Sequence, residues 1–344
     1  MTATTQSVLV TGASGFIARH VLLQLLERGY RVRGSLRTPA KAEAIRKDLR
    51  AHLGDPALAD TALDFVTLDL TADAGWPEAL AGMDALIHTA SPFPLSQPRD
   101  PQVLIRPAVE GTRRALEAAL AAGVDRVVLT SSVAAVLTSA PLDRAAPRTE
   151  ADWTDPDHPA TTPYGASKTL AERAAWAIAA AHPALKLTTV NPGMVMGAPL
   201  GTEFGSSVGL VRRMMRGGDP ALPRMVFDVV DVTDVARMHV AALETPATIG
   251  ERLICSAGPM WMPEMGAALK KAYPDRRIPT RVAPYWLLWL IARFDPALRS
   301  VLPICGQHMV SDAGHARRLL DFRFVPPERA LLNTAAHLVA TGAV

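Results

Sequence analysis

Short apolar runs alternate with amphipathic stretches over the first two thirds of the chain. Ser7–Thr11, Arg31–Ser35, Asp64–Leu68, Ala85–His88, Arg126–Thr130 and Leu185–Asn191 read as buried strands. Between them, Ile17–Arg28, Lys41–Leu49, Trp76–Ala81, Leu104–Ala122 and Tyr164–Ala181 carry apolar residues at helical spacing. This alternation predicts an α/β architecture, a parallel sheet covered on both faces. Right-handed crossovers make it doubly wound, with ligands at the carboxyl ends of the strands. The pattern loosens after Asn191. Gly197–Gly205 and Gly217–Pro223 read as loops, and later helices are expected over Met262–Ala272 and Pro284–Arg293. These segments predict a smaller, irregular cap. No internal repeat or low-complexity tract is present.

Composition narrows the class. The chain has 344 residues, 49% hydrophobic and 20% charged, as globular proteins do. A net charge of +3 suits an anionic cofactor but is too scattered for nucleic acid. The two cysteines, Cys255 and Cys305, lie in apolar surroundings and are expected to be reduced, buried thiols, with no metal site. Met1–Ser7 has no apolar core of a signal peptide, so a cytoplasmic location is the expectation. The most apolar stretch, Tyr285–Ala292, is far shorter than the ~20 residues of a membrane span. It reads as a buried helix or a pocket lid.

Val8 to Ala18 combines a strand, a glycine loop and a helix start. Gly12 allows the tight turn, and Gly15 lets the backbone approach a pyrophosphate at the helix N-terminus. Thr11, Gly12, Ser14, Gly15, Phe16 and Ile17 are thus candidate dinucleotide contacts, with Ala18 as the third small position. An acid after the second strand would select NAD. Here the segment is Val32-Arg33-Gly34-Ser35-Leu36-Arg37-Thr38. Arg37 can grip a 2′-phosphate with two prongs, Ser35 can add a hydroxyl and Lys41 can assist, which favours NADPH over NADH. Arg33 can face either side of the strand. Asp69 and Leu70 follow the third strand, where an acid can meet an adenine amino group. Thr89, Ala90 and Ser91 end the fourth strand, small enough for a ribose and pyrophosphate to pass. His88 reads as a satisfied core residue.

Tyr164-Gly165-Ala166-Ser167-Lys168 opens a long helix and puts Tyr164 and Lys168 one turn apart on one face. Reducing a carbonyl requires a proton for its oxygen. A phenol with an ordinary pKa of about 10 can supply it if a nearby ammonium stabilises the phenolate and draws that pKa down. Thr130-Ser131-Ser132 ends the fifth strand. The Ser132 hydroxyl can hold the substrate oxygen as charge develops.

With these motifs in order, the chain resembles the extended short-chain dehydrogenases/reductases. The residues carrying the resemblance are Thr11–Ala18, Thr130–Ser132, Tyr164–Lys168 and Asn191–Gly197. His88–Phe93, Ala108–Thr112, Asp231–Arg237 and Arg37 are similar to a narrower group, the dihydroflavonol, cinnamoyl-CoA and methylglyoxal (aldehyde) reductases. The resemblance implies a Rossmann-type sheet with a smaller C-terminal substrate-binding cap. The sheet domain would span residues 1–190 with a returning segment near 226–256, and residues 191–344 would mainly form the cap. It implies NADPH with Arg37 on the 2′-phosphate, Ser132, Tyr164 and Lys168 as the catalytic group, and Thr130 among the cofactor contacts. Pro192, Gly193 and Val195 would run beside the nicotinamide. Phe93, Val133, Met194, Phe204 and Met225 would line a pocket for a small hydrophobic carbonyl. A homodimer would pair the helices near Leu104–Ala122 and Tyr164–Ala181. Asp321 stands where relatives carry glycine, which questions the local turn. Three other functions share parts of the pattern: a sterol-type alcohol dehydrogenase, a nucleotide-sugar epimerase or dehydratase, and a non-catalytic dinucleotide sensor.

Overall fold

The computed structural model describes residues 6–91, 100–142, 144–294, 299 and 302–344. In chain order the elements are β1 (Ser7–Thr11), α1 (Phe16–Glu27), β2 (Arg31–Leu36), α2 (Ala42–Arg50), α3 (Leu58–Thr61), β3 (Leu63–Thr67), α4 (Trp76–Leu80), β4 (Ala85–His88), α5 (Gln102–Ala121), β5 (Arg126–Thr130), α6 (Pro163–Ala181) and β6 (Lys186–Pro192). They continue with β7 (Met194–Met196), α7 (Ser206–Met215), β8 (Val226–Asp231), α8 (Val232–Glu244), β9 (Arg252–Cys255), β10 (Gly258–Trp261), α9 (Met262–Ala272), α10 (Tyr285–Ile291), α11 (Gly314–Leu320) and α12 (Pro327–Ala340).

Seven strands form one sheet in the order β3-β2-β1-β4-β5-β6-β9, and each neighbouring pair is parallel. Alternate side chains of a strand face opposite sides, and here both sides are apolar. Val8, Val10, Ile87 and Val128 pack under α1, α2 and α8. Leu9, Leu86, Val127 and Leu129 pack under α4, α5 and α6. Burial on both faces explains why these strands read as continuous apolar runs. Each fully buried Leu or Val contributes about 1.5–3 kcal/mol. The doubly wound sheet expected from the alternation is present. Its winding reverses between β1 and β4, the switch point where ligands bind in such sheets.

The chain leaves this sheet at Gly193 and starts a second one, ordered β10-β8-β7. Strands β7 and β8 are parallel, and β8 and β10 antiparallel. Helices α7, α9 and α12 cover it through Val208, Met214, Met265, Leu331 and Leu338. The region after Asn191 is therefore more regular than its sequence suggests. Prolines there start helices: Pro263 and Pro327 sit in the first turns of α9 and α12, where a missing N–H costs nothing. The chain also returns, and β9 adds to the large sheet beside β6.

Two smaller expectations change. Helix α10 is not buried: Leu288 and Ala292 reach the core, but Tyr285 and Trp286 are 56% and 67% exposed. Its apolar run is too uniform to show which face packs. Asp321, questioned as a turn residue, follows α11 in the left-handed conformation, with φ 46° and ψ 46°. The glycine-type turn is thus kept with a strained acid. Cys255 and Cys305 are both buried, and neither is in a disulfide. Among the described residues no helix is long and apolar enough to cross a membrane.

Asp321→Gly should relieve the left-handed strain and stabilise the fold by about 0.5–1 kcal/mol. Calorimetry would then give a higher Tm than wild type. An unchanged or lower Tm would show that Asp321 carries no net strain.

Candidate active site

The glycine loop joins β1 to α1 at the switch point. Gly12 has φ +70°, and a Cβ there would lie 3.0 Å from Ala90, so the ends of β1 and β4 approach backbone to backbone. Ser35 secures the loop: its hydroxyl accepts from Gly12 N at 3.1 Å and its carbonyl from Ala13 N at 2.9 Å. Thr11 ties in β4, accepting from Ala90 N at 3.1 Å, while the Thr89 hydroxyl donates to Thr11 O at 2.5 Å. Gly15 precedes α1 and has no side chain to cap it. The amides of Phe16 and Ile17 therefore open onto a place for an anion. Ser14 and Ser91 flank this place, both partly exposed. Ala18 is buried against the sheet.

Of the basic residues after β2, Arg37 is exposed, and its charge is close enough to act on Asp69. Asp69 accepts from Thr71 N and Oγ1, both at 2.8 Å, and these bonds hold its carboxyl below the usual range. Leu70 packs on Gly111, where a Cβ would be 3.2 Å away. Three residues of this segment have partners within the fold. Ser35 is buried, and its hydroxyl oxygen holds the loop. Arg33 donates to the carbonyls of Glu78, Ala79 and Ala81 and closes the end of α4. Lys41 is paired with Glu203 at 2.8 Å. That carboxylate belongs to the 197–205 loop, which sequence alone could not bring here.

Ser132 and Tyr164 meet at the carboxyl edge beside this loop, with Lys168 one turn further along α6. A Thr162 cap, accepting from Gly165 N at 3.1 Å, and Pro163 in the first turn start α6 one residue before Tyr164. Tyr164 and Ser132 are hydrogen-bonded through their side chains. The Ser132 hydroxyl also accepts from Ala134 N at 3.1 Å, which fixes its rotamer. Burial pushes the Tyr164 phenol above its ordinary value, and the Ser132 bond only partly opposes this. The expected lowering by Lys168 is not among the influences on the phenol. Burial draws Lys168 down to about 8, and Glu172 opposes that fall.

The two nearby histidines are core residues. His88 bonds Thr11 Oγ1 at 2.9 Å and burial holds it down to about 3. His239 is likewise pushed to about 4 by burial. Its Nδ1 donates to Val235 O at 2.8 Å, so its Nε2 accepts from the Thr130 hydroxyl at 2.6 Å. Thr130, expected as a cofactor contact, therefore has its hydroxyl proton committed to α8.

Below the group lies a residue the sequence reading missed. Glu172 is fully buried and ion-paired to Arg252 at 2.7 Å. It also accepts from Ser131 at 2.5 Å and Asn191 at 2.8 Å. Its signal was present: Tyr164, Lys168 and Glu172 recur every fourth residue on one face. Arg252, arriving on β9, had none.

Pro192 at the end of β6, Gly193, and Val195 on β7 run along the junction of the two sheets. Gly193 N donates to Cys255 O at 3.1 Å. A Cβ on Gly193 would meet Asp228 O at 2.3 Å, so strand packing alone demands glycine there. Met194, Phe204 and Met225 gather in the cap cluster, whereas Val133 packs separately with Val136, Ile254 and Ala313. Phe93 lies outside the described residues, as does Pro92 before it.

Comparison with known proteins agrees with this geometry. The model of the NAD dependent epimerase/dehydratase family matches residues 8–258. Cinnamoyl-CoA reductase 1 of Petunia hybrida is 36% identical over 290 residues, 81% of this chain and 84% of the relative. An anthocyanidin reductase ((2S)-flavan-3-ol-forming) of Vitis vinifera is 32% identical over 290 residues, 80% of this chain and 83% of the relative. The crystal structure of yeast methylglyoxal/isovaleraldehyde reductase Gre2 complexed with NADPH superposes with a TM-score of 0.81 at 28% identity, covering 98% of this chain and all of that one. This chain belongs to the NAD dependent epimerase/dehydratase family of extended short-chain dehydrogenases/reductases, in the group that contains these reductases.

Proposed function

We propose that this chain is an NADPH-dependent carbonyl reductase in which Tyr164 protonates the substrate oxygen. The observation that carries the reading is the hydrogen-bonded pair of Ser132 and Tyr164, with Lys168 one turn away, at the sheet edge beside the glycine loop. The relatives are reductases by name, and the yeast structure is an NADPH complex, which supports the same class of oxidoreductase here.

The residues fit a dinucleotide. The uncapped start of α1 can take the pyrophosphate, and the absence of a Cβ at Gly12 leaves the backbone close. Exposed Arg37 is free to turn toward a 2′-phosphate. Asp69 and Leu70 stand where the adenine would lie, Thr89 to Ser91 beside the ribose, and Pro192 to Val195 beside the nicotinamide. The large sheet thus holds the cofactor, and the cap cluster with Met194, Phe204 and Met225 offers the substrate an apolar wall.

Bound NADPH supplies the hydride. The protein supplies the proton and the electrostatics. A phenol raised by burial is protonated at neutral pH, so Tyr164 is ready as the acid. As its proton moves to the substrate oxygen, the Ser132 hydroxyl and the Lys168 ammonium stabilise the charge that develops. A lysine near 8 is mostly ammonium at pH 7. Reduction should therefore weaken as pH rises through that value.

Tyr164→Phe should lower kcat by roughly 10²–10⁴-fold while leaving NADPH affinity nearly intact. NADPH absorbance with a panel of aldehydes, diketones and aryl ketones measures the first, and fluorescence titration the second. Retained turnover would sink the proton-donor assignment. Arg37→Ala should weaken NADPH by about ten-fold or more, the value of a charge-assisted contact, with little change for NADH. Equal losses for both cofactors would mean that Arg37 does not read the 2′-phosphate.

A further inference from the structure

Glu172 receives more hydrogen bonds than an isolated structural carboxylate needs, and they arrive from four elements, β5, β6, α6 and β9. Ser131, at the end of β5, donates at 2.5 Å. Thr189 and Asn191 on β6 donate at 3.1 and 2.8 Å. Trp176, one turn further along α6, donates at 3.3 Å. Arg252 on β9 donates from Nε at 2.7 Å and Nη2 at 3.4 Å. Arg252 is itself held over the Trp153 ring at 3.7 Å and donates to the carbonyls of Glu150 and Asp152. Burying such a pair costs desolvation that an apolar pair would avoid, so stability alone gives little reason for it.

Its geometry gives a better one. The Ser131 hydroxyl pulls on the residue beside the catalytic serine. The Asn191 amide, while donating to Glu172, also donates to Ser132 O at 3.2 Å. The carboxylate thus grips the Ser131-Ser132 backbone from two directions. It also sits one turn beyond Lys168 on the face that presents Tyr164. The charged and titratable groups around Lys168 are Glu172 one turn along α6, which acts on it directly, neutral His88 on β4, and Arg252 on β9, which pairs with the carboxylate. Among them Glu172 is the negative charge.

We propose that Glu172 is a positioning residue of the reductase site, holding Ser132 through Ser131 and Asn191 and placing a countercharge one turn from Lys168. The proposal rests on the carbonyl reductase reading above. Its role is indirect, since Glu172 touches Ser131 and Asn191 rather than the reacting atoms.

The test uses the full-length chain, NADPH and the fastest carbonyl of the panel, with Glu172→Gln, Ser131→Ala and Tyr164→Phe beside wild type. Glu172→Gln should lower kcat roughly ten- to a hundred-fold, as small misplacements of reacting groups do, with NADPH affinity preserved. Its alkaline limb should also move to lower pH, because Lys168 loses the charge that favours its ammonium. A purely structural role would not move that limb. An unmoved limb with wild-type kcat, or a loss equal at every pH with NADPH binding lost too, overturns the proposal. Should Glu172→Gln fail to fold, Ser131→Ala decides, because it removes one hydroxyl and no charge. It should lower kcat roughly two- to ten-fold, the worth of one hydrogen bond, at unchanged KM. Wild-type kcat there overturns the proposal. If Tyr164→Phe is dead while Glu172→Gln matches wild type, positioning fails and the reductase reading stands. A wild-type protein inert toward NADPH and the whole panel sinks both.

Discussion

Every strand of the large sheet runs in one direction, so all their carboxyl ends open on a single edge. Most of the candidate site follows from that constraint. The glycine loop leaves β1, Thr89 to Ser91 leave β4, Ser132 follows β5 and Gly193 follows β6. Residues far apart in sequence thus arrive within reach of one extended ligand. The parallel arrangement survives because both faces are buried under helices. The reversal of winding at β1 and β4 opens the crevice, and the missing Cβ of Gly12 lets the two strand ends come close.

Burial sets the chemistry of the groups at that edge. It raises Tyr164, lowers Lys168 and keeps His88 and His239 neutral. In each case desolvation is the largest influence and the hydrogen bonds or neighbouring charges are corrections to it. A buried phenol keeps its proton, and a buried lysine keeps its charge only with help. The network under α6 lies where that help is needed. Its carboxylate is compensated by Arg252 and by donors from β5 and β6, so a full charge can persist in the core without remaining unpaired.

The cap is woven into the sheet domain rather than appended to it. The chain passes from β6 to β7 at Gly193, sends α8 under the large sheet, returns as β9 and leaves again as β10. Close packing at Gly193 against Asp228 locks the two sheets together beside the candidate nicotinamide site. The 197–205 loop reaches back as well, through His20 to Ala198 O at 3.2 Å and Lys41 to Glu203 at 2.8 Å. The two sheets and this loop therefore meet at one closely packed junction.

Much of this was legible in the residues. Apolar runs long enough for a strand, separated by helical periodicity, favour a doubly covered parallel sheet, because crossover helices bury both sides of such strands. The glycine loop and the four-residue spacing of Tyr164 and Lys168 are local, so their geometry is written in consecutive residues. The short strands after Asn191 carried no such period and were read as irregular. Tertiary structure alone decided how distant side chains are used. It committed Ser35 to the loop and Thr130 to His239, paired Lys41 with Glu203, and brought Arg252 from β9 onto Glu172. A hydroxyl or a charge in a sequence states what it can bond. Which partner it meets depends on strands brought together across the fold, and no local pattern records that.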